Sequence, residues 1–282
     1  MSTSGGVSMV KPNAIRELFG VSKAVIGVIH AQALPGAPGY RGAPLDALVD
    51  FVVAEAERYA RGGVDGLILE NHGDIPFSKP DDIGPETVAV MSVMADRVRR
   101  AVALPLGINV LANGAVPALA VAKAAGASFV RVNEWANAYV ANEGIIEGAA
   151  AVATRYRSWI HARGVRVFAD VHVKHGAHAI VADRSIPELA RDAEFFDADV
   201  VIATGQRTGA AATLDEVSEI AEGTRLPVVI GSGVDGENVG ELLTVAAGVI
   251  VASSLKEEGV WWTPVSEAKV RAFVQVVEKL RR

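Results

Sequence analysis

Short apolar runs rich in valine and isoleucine recur eight times along the chain, and a segment with helical spacing of apolar residues follows each of them. Runs of this kind are typical of parallel strands that are buried on both faces. The eight predicted strands cover residues 24–30, 64–71, 105–110, 127–134, 165–174, 198–205, 226–233 and 248–255. Regular alternation of strand and helix indicates an α/β protein, and eight such units predict a (β/α)8 TIM barrel.

The barrel accounts for residues 13–282 as a single predicted domain, because α/β barrels of about 250 residues fold as one unit. Residues 1–12 are mostly small and polar, and we expect them to form a short, flexible N-terminal extension. A doubly wound sheet is the alternative α/β architecture. Its phosphate-binding fingerprint, GxGxxG, is missing after the first predicted strand, which favours the barrel.

Polar residues collect at the carboxyl ends of the predicted strands, where TIM barrels carry their active sites. We therefore expect substrate contacts from His30, Asn71, Asn109, Arg131, Asn133, Thr204 and Gly205. Asn71 and Asn109 suit hydroxyl groups, and the planar fork of Arg131 suits a carboxylate or a phosphate. An ion pair of Arg131 with Glu70 or Asp170 across the barrel is an equally good interpretation.

The predicted fifth strand ends in an unusual polar sequence, VRVFADVHVKHGAH, at residues 165–178. Side chains alternate between the two faces of a strand, so Asp170, His172 and Lys174 are expected to share one face. A strand that simply runs out into a solvated loop would explain this pattern without any function. A floor for an active site is the functional interpretation, because burying these groups without partners is costly.

Three kinds of chemistry suit this face. Asp170 and His172 could form a proton-transfer pair, with Glu70 as a second acid or base. Alternatively, a divalent metal ion, the one cofactor that the pattern suggests, could bind Glu70, Asp170 and His172. His30 is a further candidate ligand. Lys174 could instead form a Schiff base with a carbonyl substrate, although a salt bridge is the commoner role of such a lysine.

Glycine and serine follow the last two predicted strands, in IGSGV at 230–234 and VASSLK at 251–256. Loops at these positions form the usual phosphate cradle of TIM barrels, since their backbone N–H groups can approach an anion. We expect phosphate contacts from Gly231, Ser232, Gly233, Ser253 and Ser254. A helix predicted over 237–246 would add its amino terminus to this cradle. Tight turns alone are the alternative explanation for the glycines.

The charge, cysteine content and hydrophobic runs of the chain argue against several classes of function. The chain of 282 residues has a formal net charge of −6 and no long basic run, which argues against nucleic acid as a partner. It contains no cysteine, which excludes thiol catalysis and disulfides. Without a secretory pattern or an apolar run near 20 residues, it is expected to be a cytoplasmic protein without membrane insertion. Trp159, Phe195 and Phe196 offer apolar surface for a homo-oligomer.

From about residue 22 to the C terminus, the sequence resembles the BtpA/SgcQ family. The resemblance rests on GVIHAQALPGAPGY, GVDGLILENHGDIPF, GINVLANGA, FVRVNEWANAYVANEGIIEG, ADVHVKH and VVIGSGV. It implies a TIM barrel of the ribulose-phosphate-binding type. One member is named for a role in the accumulation of photosystem I proteins in cyanobacteria, and another is encoded among sugar-phosphotransferase genes in enterobacteria. The family commonly has HxxPLPG where this chain has HAQALPG, and we transfer no catalytic residue from it.

Two functional hypotheses lead, and a binder of phosphorylated nucleosides is a weaker third, for which the sequence has no base-specific motif. The favoured one is an enzyme that binds a phosphorylated sugar or similar small anion and carries out isomerase, epimerase or aldolase-type chemistry. Removal of Asp170 is then expected to abolish turnover and to leave folding intact. The alternative is a non-catalytic factor in the biogenesis or stability of a membrane complex such as photosystem I. An open polar mouth favours the enzyme, whereas a filled mouth beside an exposed apolar patch favours the second hypothesis.

Overall fold

Eight parallel strands close into a barrel in this computed structural model, which describes residues 11–205 and 212–281. The barrel strands, together with the two strands of a separate hairpin, are in chain order β1 (Ala24–His30), β2 (Gly66–Glu70), β3 (Leu106–Asn109), β4 (Phe129–Val132), β5 (Ala138–Ala141), β6 (Gly144–Glu147), β7 (Arg166–Val171), β8 (Val200–Ala203), β9 (Val228–Ile230) and β10 (Gly248–Val251). Around the barrel they follow the order β1-β10-β9-β8-β7-β4-β3-β2. The predicted TIM barrel is confirmed, and β5 and β6 form an antiparallel hairpin outside it.

Each barrel strand is followed along the chain by a helix. The helices are α1 (Ala14–Phe19), α2 (Leu45–Gly62), α3 (Pro85–Ala101), α4 (Ala115–Ala125), α5 (Ala150–Trp159), α6 (Ile186–Phe195), α7 (Leu214–Gly223), α8 (Val239–Leu242) and α9 (Glu267–Leu280). The helix predicted over 237–246 is reduced to the four residues of α8, which contains the poor helix former Gly240. Within the described residues, no helix combines the length and hydrophobicity that crossing a bilayer requires.

The barrel interior changes from apolar to polar along its strands in steps of two residues. An apolar interior layer contains Ile68, Phe129, Phe168 and Ile202. Two residues later, the same strands or their ends carry Glu70, Arg131, Asp170 and Thr204, which are all buried. Because strand residues two apart point to the same face, this second layer lies directly above the apolar one, at the carboxyl ends. The alternation of side chains along the strands therefore places the polar groups at the barrel mouth.

The amino end of the barrel is closed by α1, which precedes β1. Ala14 and Ile15 are buried against the interior apolar cluster. The ring of Phe19 meets that of Phe129 edge to face at 5.8 Å between centroids. Residues 1–10 of the predicted flexible extension lie outside the described residues, while Lys11 forms an ion pair of 2.6 Å with Asp197.

Exposed aromatic side chains lie on the helical exterior. Trp159 is 75% exposed, Phe195 is 84% exposed and Phe196 is 45% exposed. They leave apolar surface at the ends of α5 and α6. The homo-oligomer expected from these residues stays a prediction.

The loop after β10 is fixed by a buried ion pair. Lys256, in the segment that follows β10, donates from Nζ to Glu55 Oε2 of α2 at 2.5 Å, and both side chains are almost completely buried. The backbone N–H of Val265 donates to the same carboxylate. Lys256 therefore points away from the barrel mouth, and its ion pair holds both ends of the segment that carries Trp261.

We expect Lys256→Ala to lower the free energy of unfolding by about 3–5 kcal/mol, because it leaves the Glu55 carboxylate buried without its cation. Urea unfolding measures the change. Arg61→Ala is the control, since Arg61 pairs with Glu267 on the surface and is 54% exposed. It should cost less than about 1 kcal/mol. Equal losses in the two variants would contradict a structural role for the buried pair.

Candidate functional site

A cavity of about 580 Å³ opens at the carboxyl ends of the barrel strands. Its volume lies within the usual range for small-molecule sites, about 300–1,000 Å³. Polar residues of the barrel strands and their following loops that line it are His30, Glu70, His72, Asn109, Arg131, Asn133, Lys174, His175, Ser232, Asp235, Ser253 and Ser254. Tyr139, Asn142 and Glu143 of the β5–β6 hairpin and Trp261 also line it. The mouth is therefore an open cavity in which these polar groups are set among apolar side chains such as Phe77 and Ile250.

Arg131 lies at the centre of this mouth and is only 5% exposed. Its Nη2 donates to Asp170 Oδ1 at 3.1 Å and to Oδ2 at 3.2 Å, and Asn133 Nδ2 donates to Oδ2 at 3.1 Å. Burial alone would lower the pKa of Arg131, but the charges of Asp170 and Glu70 outweigh burial and raise it. Arg131 consequently stays charged, and the expected ion pair with Asp170 is present.

Asp170 lies behind this guanidinium and does not line the main cavity; it lines a smaller pocket on the other side. Its carboxylate accepts from Arg131 and Asn133 and so orients two side chains that do line the cavity. The geometry thus favours a positioning role over the proton transfer expected from the sequence.

Gly231, directly after β9, provides the space that the guanidinium needs. A Cβ at this position would lie 3.2 Å from Arg131 Nη2 and only 2.6 Å from Ile202 Cγ2. Any larger residue would push against both the interior layer and the charged group. The glycine predicted for phosphate contact therefore also has a packing role.

One side of the cavity carries a carboxylate between two imidazoles. Glu70 Oε1 lies 3.0 Å from His72 Nδ1 and 3.7 Å from His30 Nε2. Asn109 Nδ2 donates to the other oxygen, Oε2, at 2.6 Å. Burial would raise the pKa of Glu70, but the hydrogen bond from His72 and the nearby positive charges lower it below its usual range. Burial also lowers the pKa of His30 to about 3, so this imidazole is neutral at pH 7.

The opposite side carries an ammonium group beside the loop after β9. Lys174 Nζ donates to Ser232 Oγ at 3.3 Å, and its backbone N–H donates to Thr204 Oγ1 at 3.0 Å. Burial and the charge of Arg131 lower the pKa of Lys174 to about 8. The cavity therefore has a cationic end and an imidazole–carboxylate end.

Two amide oxygens in the wall are buried without a hydrogen-bond partner among the described residues. These are Oδ1 of Asn109 and Oδ1 of Asn133. A buried acceptor without a donor costs about 1–3 kcal/mol, and both side chains line the cavity. Hydroxyl groups of a ligand are suitable donors for them.

The expectation that Asp170, His172 and Lys174 share one strand face is wrong. β7 ends at Val171, and His172 has a positive φ of 56°, which turns the chain out of the strand. Its Nδ1 lies 3.5 Å from Glu216 Oε1, and its ring packs on His178 with centroids 4.0 Å apart. His172 therefore lines the smaller pocket rather than the mouth, away from Glu70.

Three further residues of the expected substrate site have internal contacts instead of cavity surface. Asn71 donates from Nδ2 to Asp74 at 2.9 Å and accepts from the backbone of Leu111 at 2.7 Å. Thr204 accepts from the backbone of Lys174, as described above. Gly205 is buried and does not line the cavity. In contrast, every glycine and serine expected to contact phosphate lies on the cavity wall: Gly231, Ser232, Gly233, Ser253 and Ser254.

Sequence patterns gave no role to Tyr139 or His72, which line the mouth. Tyr139 lies on the β5–β6 hairpin, inside what the pattern predicts as a loop. The signal was Asn142-Glu143-Gly144 between short apolar segments, since Gly144 has a φ of 101° that suits a hairpin turn. His72 follows β2 in a short 3₁₀ turn, where strand alternation no longer predicts its direction.

The sequence profile of the BtpA family matches residues 21–279. This chain belongs to the BtpA family. A protein of Archaeoglobus fulgidus is 42% identical over 258 residues, which cover 92% of this chain and 100% of the relative. The photosystem I biogenesis protein BtpA of Synechocystis is 38% identical over 264 residues, covering 93% of this chain and 90% of that protein.

Solved structures with the same fold include (S)-3-O-geranylgeranylglyceryl phosphate synthase of Thermoplasma acidophilum, in complex with its substrate sn-glycerol-1-phosphate. The TM-score is 0.56 at 12% sequence identity, and the match covers 94% of this chain and 97% of the other. At this identity the similarity establishes the barrel fold alone.

We expect Asp170→Asn to lower the free energy of unfolding by about 3 kcal/mol, because it leaves the charge of Arg131 buried without its main partner. Intact folding, which the sequence suggests for an Asp170 variant, is therefore not the expected outcome. Chemical denaturation measures the loss. The double variant Arg131→Met/Asp170→Leu should regain most of it, since it removes both charges. A single variant as stable as the wild-type protein would contradict the importance of this pair.

Proposed function

We propose that this barrel is an enzyme that binds a small phosphorylated carbonyl compound in the mouth cavity and catalyses isomerisation or epimerisation next to the carbonyl group. The observation that carries the proposal is the division of one cavity into a cationic end and an imidazole–carboxylate end. A sugar phosphate has the same division, with an anion at one end and reacting carbons at the other.

Lys174 and the loops after β9 and β10 are the proposed phosphate end. The ammonium group lies beside Ser232, and Gly233, Ser253 and Ser254 line the same wall. A lysine with a pKa near 8 is mostly protonated at pH 7, so it offers a charge-assisted hydrogen bond to an anion. Barrels commonly hold phosphate with the loops after these two strands. The glycerol phosphate complex of the structural neighbour concerns a ligand of this chemical class, but in another protein.

The middle of the cavity suits the hydroxyl and carbonyl groups of such a compound. The guanidinium of Arg131 offers N–H donors, while Asn109 and Asn133 offer their unpartnered Oδ1 atoms as acceptors. A buried acceptor discriminates against an analogue that lacks the matching hydroxyl group, because the acceptor would then stay unpaired.

The end formed by His30, Glu70 and His72 is the proposed reacting end. It acts on the substrate either by moving a proton or by polarising the carbonyl oxygen. The sequence also suggests that Lys174 forms a Schiff base with a carbonyl substrate. The lowered pKa of Lys174 suits an amine nucleophile. Its hydrogen bond to Ser232 in the phosphate loop favours anion binding instead.

A role in the biogenesis of a membrane complex is the second candidate function. The name of the Synechocystis relative, photosystem I biogenesis protein BtpA, favours it, together with the exposed aromatic residues Trp159 and Phe195. The open cavity, with its charged groups and buried unpartnered acceptors, favours the enzyme. A cytoplasmic location stays a prediction in either case.

Calorimetric titration with inorganic phosphate and with sn-glycerol-1-phosphate tests the phosphate end. We expect Lys174→Gln to weaken binding at pH 7 at least about 10-fold, because a charge-assisted hydrogen bond contributes about 1.5–3 kcal/mol. Lys79→Gln is the matched control, since Lys79 belongs to the loop after β2 but does not line the cavity. It should leave the affinity unchanged.

The wild-type affinity should also fall as the pH rises from 7 to 9, because Lys174 loses its proton near pH 8. The charged groups that act on this amine are Arg131, which lowers its pKa, and Glu70 and Asp170, which raise it. Lys174→Gln should show no such fall. Equal affinities of the wild-type protein and Lys174→Gln would overturn the assignment of the phosphate end.

A further inference from the structure

We propose that His30, Glu70 and His72 bind one divalent transition-metal ion at the reacting end of the cavity. Each residue offers one ligand atom, and the three atoms lie within 4.8 Å of one another. Donors on a common ion with bonds of about 2.1 Å are about 3–3.5 Å apart. The distances of 3.0 Å and 3.7 Å from Glu70 Oε1 to the two imidazoles are therefore close to those of a bound set.

The hydrogen bond of His30 leaves the lone pair of its Nε2, the nitrogen on the side of Glu70, available to an ion. Its Nδ1 lies 3.3 Å from the backbone oxygen of Trp261, and a carbonyl oxygen can only accept. Nδ1 therefore carries the proton, and Nε2, which faces Glu70, carries the lone pair. Metal-binding histidines usually have this arrangement, in which the second nitrogen donates to a carbonyl or carboxylate.

Outer contacts hold the other two ligands in place. Asn109 Nδ2 donates to Glu70 Oε2 at 2.6 Å and leaves Oε1 for the imidazole side. The ring of Trp261 meets the rings of both His30 and His72 nearly edge to face, with centroids 5.8 Å and 4.6 Å apart. This packing limits rotation of the two imidazoles, so their side chains lose little conformational entropy when an ion binds.

Without an ion, a proton must join His72 Nδ1 and Glu70 Oε1, because a bare nitrogen lone pair and a carboxylate oxygen would repel at 3.0 Å. A metal ion replaces that proton. The balanced step is a change of tautomer: the imidazole of His72 gives up its proton at Nδ1 and takes one up at Nε2, so the ion binds the Nδ1 lone pair of a neutral ring and no net proton is released.

Two imidazole nitrogens and one carboxylate oxygen suit Zn²⁺, Fe²⁺, Co²⁺ or Mn²⁺ better than Mg²⁺ or Ca²⁺, which prefer oxygen ligands. All three side chains line the cavity, so the remaining coordination positions face a ligand, as in catalytic rather than structural metal sites. An ion there would polarise the carbonyl oxygen of the substrate. Only this last step rests on the proposed function.

This site replaces the metal set expected from the sequence. Glu70 is common to both sets, and so is His30, which the sequence offers as a further candidate ligand. Asp170 is occupied by Arg131 and Asn133, and His172 lies beside Glu216 and His178 in the smaller pocket. His72, two residues beyond Glu70, takes their place.

The test titrates full-length protein, stripped with a chelator, with Co²⁺ or Zn²⁺ alone. We expect one equivalent to bind per chain, with visible ligand-field absorption for Co²⁺. His72→Gln and Glu70→Gln should weaken binding at least 100-fold. Asn109→Ala keeps all three ligands and should weaken it by about 10–100-fold. This variant keeps the test decisive if a ligand variant fails to fold.

Two matched histidine controls complete the design. His161→Gln changes an exposed histidine outside both pockets, and His178→Gln changes the neighbour of His172. Both should bind Co²⁺ like the wild-type protein. The proposal is overturned if the folded wild-type protein takes up no stoichiometric ion, or if His178→Gln abolishes binding while His72→Gln does not. Because no phosphate compound is present, these results are independent of the test on Lys174.

Discussion

The barrel mouth depends on the burial of one guanidinium group. Arg131 lies at the centre of the polar layer and is 5% exposed, so its charge must be balanced inside the protein. Asp170 supplies the balance from the neighbouring strand β7, while Asn133 braces the carboxylate. The absence of a side chain at Gly231 leaves the space that the group occupies. These contacts turn a costly buried charge into a fixed array of donors that faces the cavity.

That fixed centre separates two chemically different ends of the cavity. Arg131 lowers the pKa of Lys174 on one side and helps to keep Glu70 ionised on the other. The cationic end is thus suited to an anion, and the carboxylate end to a cation or a proton. The two ends share one cavity of about 580 Å³, which has room for a small molecule that spans both.

Much of this layout follows from strand alternation and could be read from the sequence. Glu70, Arg131 and Asp170 each stand two residues after an interior apolar residue, so their position in the polar layer is predictable. The glycine and serine loops after β9 and β10 were also predictable, because their place in the order of strands fixes their place at the mouth.

Predictions failed where the chain leaves the strands. His172 stands one residue beyond β7 in a positive-φ conformation, so alternation assigned it the wrong direction. His72 lies in a turn and reaches Glu70 through geometry that no periodicity describes. Asn71 has the residue type of a ligand contact but uses its amide within the loop. The polar residues at the strand ends thus indicated where the site lies. The role of each residue depends on the side chains and backbone groups that it contacts, which the sequence pattern does not show.

A crystal structure grown with Co²⁺ and sn-glycerol-1-phosphate tests the central claim, that one cavity holds an anion at one end and a metal ion at the other. We expect phosphate density within hydrogen-bond distance of Lys174 Nζ and Ser232, and an anomalous peak among His30, Glu70 and His72. An anion bound outside the cavity, together with a cobalt peak at other side chains, would contradict it.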